Sequence, residues 1–202
     1  MRFFYLLVFS IVFPSIVFAS SAITTPIPLS ELPAFKTYPK EVKQLIYKAE
    51  KLTKQNLTYS YGSANPINKG MDCSGTINYL LKSAGATDVP RQANEIYLWA
   101  EKMGDLHTVK NQDFNSSEMK KLKPGDLLFW KGTYAVQRTP PITHVMIYLG
   151  KDDKGQPLMF GASNGRTYRH KKMWGVSVFD FRMSNGRGGD FVAYSCVPQL
   201  TC

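Results

Sequence analysis

The sequence predicts an α+β domain in which N-terminal helices pack on a largely antiparallel sheet. Three observations point there. Helical periodicity is confined to residues 39–104, short aromatic and β-branched runs occupy the chain beyond residue 120, and turn sequences separate those runs.

The elements follow in chain order. Residues 1–19, "MRFFYLLVFSIVFPSIVFA", combine a basic start at Arg2, an apolar run and a small-residue exit, the layout of a secretory signal peptide. Pro14 within the run argues against a retained anchor, and no cysteine follows the exit to carry a lipid. "TTPIPLSELPAF" is Pro-rich and predicts an extended lead-in over 20–37, leaving 38–202 as a single domain with chain enough for a substantial core. Behind Pro39, the residues Val42, Leu45, Ile46, Ala49 and Leu52 recur at helical spacing and predict a helix over about 39–55. Ile77, Leu80, Leu81 and Ala84 repeat likewise, with Gly85 as a stop, so a second helix starts at Cys73 or within one residue of it. "PRQANEIYLWAEKMG" predicts a third, from Pro90 to near Gly104. Then "DLLFW", "HVMIYL", "PLMFGA", "VSVFDF" and "FVAYSCV" read as strands between "KPG", "DDKG" and "NGRGG" turns. The near-continuous apolarity of the first strands predicts a sheet covered on both faces, the Cys73 helix on one of them.

A chain 44% hydrophobic and 20% charged is globular rather than disordered. Its formal charge of +10 favours polyanionic surroundings such as anionic cell-wall polymers, although most of the lysines read as a solvated face. Export argues against nucleic acid as a partner. Trp99, Trp130 and Trp174 are expected in the core.

Three cysteines are present. In an oxidising compartment Cys196 and Cys202, in "CVPQLTC", can close a small loop and leave Cys73 unpaired. Three reduced thiols, or pairing of Cys73 with the tail, are the alternatives. A thiol attacks as its thiolate, and a helix N-terminus stabilises that anion through unpaired N–H groups and the helix dipole. Asp72 suits an N-cap, and Gly75 leaves room for close approach of a substrate chain. A nucleophile at Cys73 is thus expected to have an open sulfur and a depressed pKa. It also needs a base within reach. Of His107, His144 and His170, His144 stands at a strand head, in "HVMIYLG".

The order "LTYSYGS", "DCSG" on a helix, "LKPGDLLFW" and "HVMIYLG" resembles the NlpC-type cell-wall cysteine peptidases, over about Tyr59 to Ser163. The resemblance implies a papain-like fold with Cys73 as nucleophile, His144 as base and Tyr59 polarising the substrate carbonyl. It also implies that Asp72, Ser74 and Arg91 hold the peptide stem. One departure stands out. Where the family places a third polar residue, "MFGAS" has Gly161. A hairpin with Leu149 opposite Leu158 puts Ser163 across from His144, a single bulge puts Asn164 there, and His170 is a third option. Arg166, in a basic, turn-rich segment, is expected to face stem carboxylates.

The expected function is a secreted or periplasmic cysteine endopeptidase acting on peptidoglycan stem peptides, next to D-glutamate as relatives do. It acts as a monomer, without stable membrane insertion after leader removal, and with no metal or cofactor, since no ligand spacing suggests one. Two alternatives stay open: a peptidoglycan amidase on the same scaffold, and a non-catalytic wall-binding protein with a degenerate triad.

Overall fold

The computed structural model describes residues 21–183 and 188–202, so the leader expected over 1–19 lies outside the described residues. Helix α1 (Lys40–Thr53) buries Val42, Leu45, Ile46, Ala49 and Leu52, the stripe its periodicity demands. Helix α2 (Cys73–Ala84) is capped by Asp72, whose Oδ1 accepts from the Gly75 N–H at 2.6 Å, and ends at Gly85. Helix α3 (Ala93–Met103) begins later than Pro90. Asn78 Nδ2 donates to the carbonyls of Val89 and Pro90, and Arg91 turns to Asp72, which holds that segment out of the helix.

Two short strands, β1 (Thr58–Tyr59) and β2 (Gly70–Met71), pair in parallel beside the head of α2. The main sheet is built from β3 (His107–Thr108), β4 (Leu127–Lys131), β5 (Ile142–Lys151), β6 (Pro157–Ser163), β9 (Gly175–Asp180) and β10 (Asp190–Ser195). Their order is β3-β10-β4-β5-β6-β9, with every neighbour antiparallel. A small hairpin, β7 (Thr167–Tyr168) with β8 (Lys171–Lys172), lies between β6 and β9 in sequence. Helices α2 and α3 pack on β5, α2 also on β6, and α1 sits against α2 and β9. On the opposite face Trp130, Phe181 and Phe191 meet with ring centroids 5.1–5.7 Å apart, joined by Phe114 and Tyr148. The sheet is therefore covered on both sides, as its apolar runs predict.

The lead-in is not a free extended segment. Leu29–Glu31 and Pro33–Thr37 form 3-10 turns, and Ile27, Leu32 and Phe35 are buried. Ile23 exchanges backbone hydrogen bonds with Trp174, and Val178 N–H donates to Thr25 O at 3.2 Å. Burial of the apolar side chains carries the segment along the outer edge of β9, whose unpaired backbone groups it satisfies.

Two bulges set the register around β5. Ile147 opposes Phe160 and Tyr148 opposes Met159, but Leu158 then faces Gly150, so the expected Leu149–Leu158 pair does not form and Leu149 is the extra residue. The shift lies on the far side of the hairpin, which leaves the expected register intact toward His144. At the other end Trp130 opposes His144 and Lys131 opposes Ile142, making Thr143 the extra residue immediately before His144. Cys196 and Cys202 form a disulfide, and Cys73 is free. Among the described residues no helix is long and apolar enough to cross a membrane.

Candidate active site

The cap places Cys73 as the first residue of α2, where backbone N–H groups have no helical partner. Its side chain is 6% exposed and forms part of the wall of a cavity of about 270 Å³, together with Tyr59, Asp72, Ser74, Arg91 and Arg138. Sγ lies 3.9 Å from Thr143 O, and the backbone N–H of Val145 also bonds the sulfur. The thiol therefore rests on the main chain to either side of His144. The His144 side chain, itself buried, lines an adjoining cavity with Ser163, Asn164 and Arg166. Tyr59, Tyr61 and Tyr134 line both cavities, which makes one groove of the two.

Burial decides the charges here. It pushes the Cys73 thiol up to about 11, with the Asp72 carboxylate adding to the rise and the N–H groups of Val145 and Ser74 and the Arg91 charge opposing it. The helix terminus was expected to lower this pKa, and desolvation outweighs it. Burial first, then the Arg166 charge, holds His144 well below the ordinary imidazole range. At neutral pH the resting pair is a thiol and a neutral imidazole, not a thiolate and an imidazolium. Burial, reinforced by the neighbouring Cys73, raises the Tyr59 phenol, which stays protonated and able to donate.

The group on the imidazole is Arg166. Its Nε donates to His144 Nε2 at 3.2 Å, its second terminal nitrogen donates to Gly188 O at 3.0 Å, and its guanidinium stacks over Trp130 at 4.5 Å. Burial lowers it to about 10. Neither Ser163 nor Asn164 takes the orienting place: the Ser163 hydroxyl accepts from the Arg166 N–H at 3.2 Å, and Asn164 is exposed. The turn after β6 folds back through that bond, so the long side chain three residues beyond Ser163 reaches the ring. Arg166 thus does not stand on an open rim. Because a guanidinium only donates, the neutral ring carries its proton on Nδ1. At Gly161 a Cβ would lie 2.9 Å from Met146 Cγ, and Met146 fills the space a third polar residue would need.

Asp72, Ser74 and Arg91 are brought together, chiefly with one another. Arg91 donates to both Asp72 oxygens, at 3.0 and 2.6 Å, and to Ser74 Oγ at 3.0 Å, while the Gly62 N–H donates to Asp72 Oδ2 at 2.8 Å. The network locks the loop before β2 onto the head of α2 and presents Arg91 to the cavity already neutralised. Gly75 serves that same packing: a Cβ there would meet Ser63 O at 2.2 Å, so the close approach is by the chain's own loop. His107 bonds Asp105 and lines a separate cavity beside the disulfide, and His170 is exposed. Neither lines the groove. Tyr61, Tyr134 and Arg138 line it without having been singled out from the sequence, where a tyrosine or arginine in a loop carries no mark of its destination. Among the described residues Glu31, Asp152 and Asp153 lie close enough to share a cation, but Arg169 already meets Glu31 and Asp152.

The NlpC/P60 family model matches residues 56–181, from just before β1 to the end of β9. The gamma-DL-glutamyl hydrolase of Bacillus subtilis (strain 168) is 27% identical over 143 residues, which is 67% of this chain and 29% of that protein. The chain thus spans under a third of that curated relative's length. With the family match running through α2, β4 and β5, the chain belongs to the NlpC/P60 family.

Proposed function

We propose that this chain is an exported cysteine hydrolase that cuts amide bonds of peptidoglycan stem peptides next to a γ-linked glutamate. The observation that carries the reading is a free thiol at the head of α2, set against β5 on both sides of His144 in one groove. Family membership supports a hydrolase, the relative's name supports a γ-glutamyl bond, and the composition of residues 1–19 supports export.

In this reading the scissile carbonyl enters beside Cys73, and the Tyr59 hydroxyl and the Cys73 N–H donate to its oxygen. Since thiol and imidazole are both neutral at rest, the proton leaves sulfur as the S–C bond forms rather than beforehand. The ring's lone pair at Nε2 is held by Arg166, and that contact has to open before His144 takes the proton. The imidazolium then protonates the leaving amine as the C–N bond breaks. Water hydrolyses the thioester, releasing the acid and restoring the thiol.

A second reading, a non-catalytic wall-binding protein, is favoured by the same raised thiol and occupied imidazole. Digestion of purified muropeptides with wild type and Cys73→Ala, read by mass spectrometry, separates the two. Products ending at a glutamyl residue with wild type alone support the hydrolase. Release of whole stems from glycan indicates an amidase, and no product with either protein indicates the binder.

A further inference from the structure

The Cys73 cavity carries two guanidinium groups, and only one has a counter-charge. Arg91 is met by Asp72. Arg138, on the loop between β4 and β5, lines the same cavity beside Gln92 and Tyr134. It donates to Gln92 Oε1 at 3.3 Å, to Ile142 O, and to the Tyr134 hydroxyl at 3.4 Å. Its Nε is buried with no hydrogen-bond partner. Among the described residues no carboxylate pairs with it. Glu95 reaches it only through Gln92, accepting from the backbone N–H and the side-chain amide of Gln92, whose carbonyl oxygen accepts from Arg138.

A partly buried cation held by neutral acceptors has lost hydration without gaining a counter-ion, and a ligand carboxylate is the group that restores the balance. The planar fork suits that partner, because it offers parallel N–H donors to two oxygens. We infer that Arg138 is a specificity residue that receives a free carboxylate on the substrate residue seated in the Cys73 cavity. The inference rests on the hydrolase reading and deepens it: an amide made through the γ-carboxyl of glutamate leaves the α-carboxylate free, with its carbon four bonds from the γ-carbonyl carbon. The cavity, about 270 Å³, is small beside drug-sized pockets of roughly 300–1,000 Å³ and suits one residue. Arg166 also has no carboxylate partner among the described residues, but it lines the adjoining cavity rather than the Cys73 cavity, stacked over Trp130 and bonded to the His144 ring.

The test uses two synthetic peptides, alanyl-γ-D-glutamyl-lysine with a free α-carboxylate and its α-carboxamide twin, titrated calorimetrically into the Cys73→Ala chain. A charge-assisted pair predicts about 10- to 100-fold tighter binding of the carboxylate peptide. Adding Arg138→Met is expected to bring the ratio to about one by weakening the carboxylate peptide alone, and Arg138→Lys, which keeps charge but not the fork, to fall between. Equal binding of the twins, binding of neither, or a ratio unmoved by Arg138→Met with an unchanged melting temperature overturns the inference. Discrimination in the Cys73→Ala chain without cleavage by wild type leaves the carboxylate site standing and sinks the hydrolase reading instead.

Discussion

Replacing Asp72 with asparagine is expected to make Cys73 more reactive at neutral pH, against the usual intuition that a polar neighbour of a nucleophile helps it. The thiol is pushed up to about 11 by burial and then by the Asp72 carboxylate, whereas the Arg91 charge acts in the opposite direction. At pH 7.5 a free thiol with a pKa of about 8.5 is roughly one-tenth thiolate. A thiol at about 11 is ionised about 300-fold less. Nucleophilicity rises with pKa with a Brønsted slope of about 0.4–0.5, which returns roughly tenfold, so wild-type Cys73 should alkylate about 20- to 30-fold more slowly than a free thiol before any steric factor. Asparagine keeps the side-chain oxygen that accepts from Gly75 N–H at 2.6 Å but removes the negative charge, leaving Arg91 to favour the thiolate unopposed. The assay is the iodoacetamide rate at Cys73 from pH 6 to 11.5, read by intact mass with the fold monitored by circular dichroism. Poor access to the sulfur lowers the whole curve without moving its midpoint, so the midpoint is the quantity to compare. Wild type should still be rising above pH 10, and Asp72→Asn should reach its midpoint lower. A wild-type plateau below pH 8, or a midpoint moved upward by the substitution, would refute the argument that desolvation and Asp72 set the thiol.

Arg166→Gln supplies an amide oxygen that can accept from an Nε2–H, freeing Nδ1 as the ring's lone pair and removing the charge that depresses His144. The imidazole titration, followed by NMR, should move to higher pH, and kcat on stem peptides should rise by up to about tenfold, a fraction of the roughly 10²–10⁴-fold a positioned base supplies; an unmoved titration would contradict the contact. Gly161→His places its Cβ against Met146 and should lower stability by about 1–3 kcal/mol, with Met146→Gly in the same chain recovering most of the loss. Thermal denaturation of the single and double variants checks this, and additive effects would show that the two sites do not share space. Removing the Cys196–Cys202 crosslink by a double alanine substitution opens a loop with sequence separation 6 and should cost about 2 kcal/mol. At this chain length that is a melting-temperature drop of about 4–8 °C. Cleavage at 25 °C should be unchanged, since the crosslink borders a cavity separate from the groove.

Local signals made much of the fold legible. Asp72 followed by an apolar stripe marked the head of α2, because a cap and a helical period are both read within a few residues. The long apolar run of β5 announced a strand buried on both faces, and His144 at its head was a visible candidate beside Cys73. The register expected from a Leu149–Leu158 pair holds at Ile147–Phe160 and Tyr148–Met159 although that pair does not form, and no local signal showed the bulge at Leu149, whose O accepts from Tyr38, more than a hundred residues earlier. The lead-in misled for a similar reason. Prolines gave it an extended look, while Ile27, Leu32 and Phe35 found burial against distant parts of the chain.

What the sequence by itself determined is where the candidate reactive groups stand along the chain: a cysteine at a helix start, a histidine at a strand start, an acid at the cap. Only the tertiary structure decided their chemical state. Arg166 reaches the imidazole through a turn and a long side chain, and the thiol's proton affinity sums the desolvation contributed by α2, β1 and β5 together. Caps and periods act over a single turn of chain. Burial and charge act through space, and their balance at Cys73 exists only once those elements have closed around it.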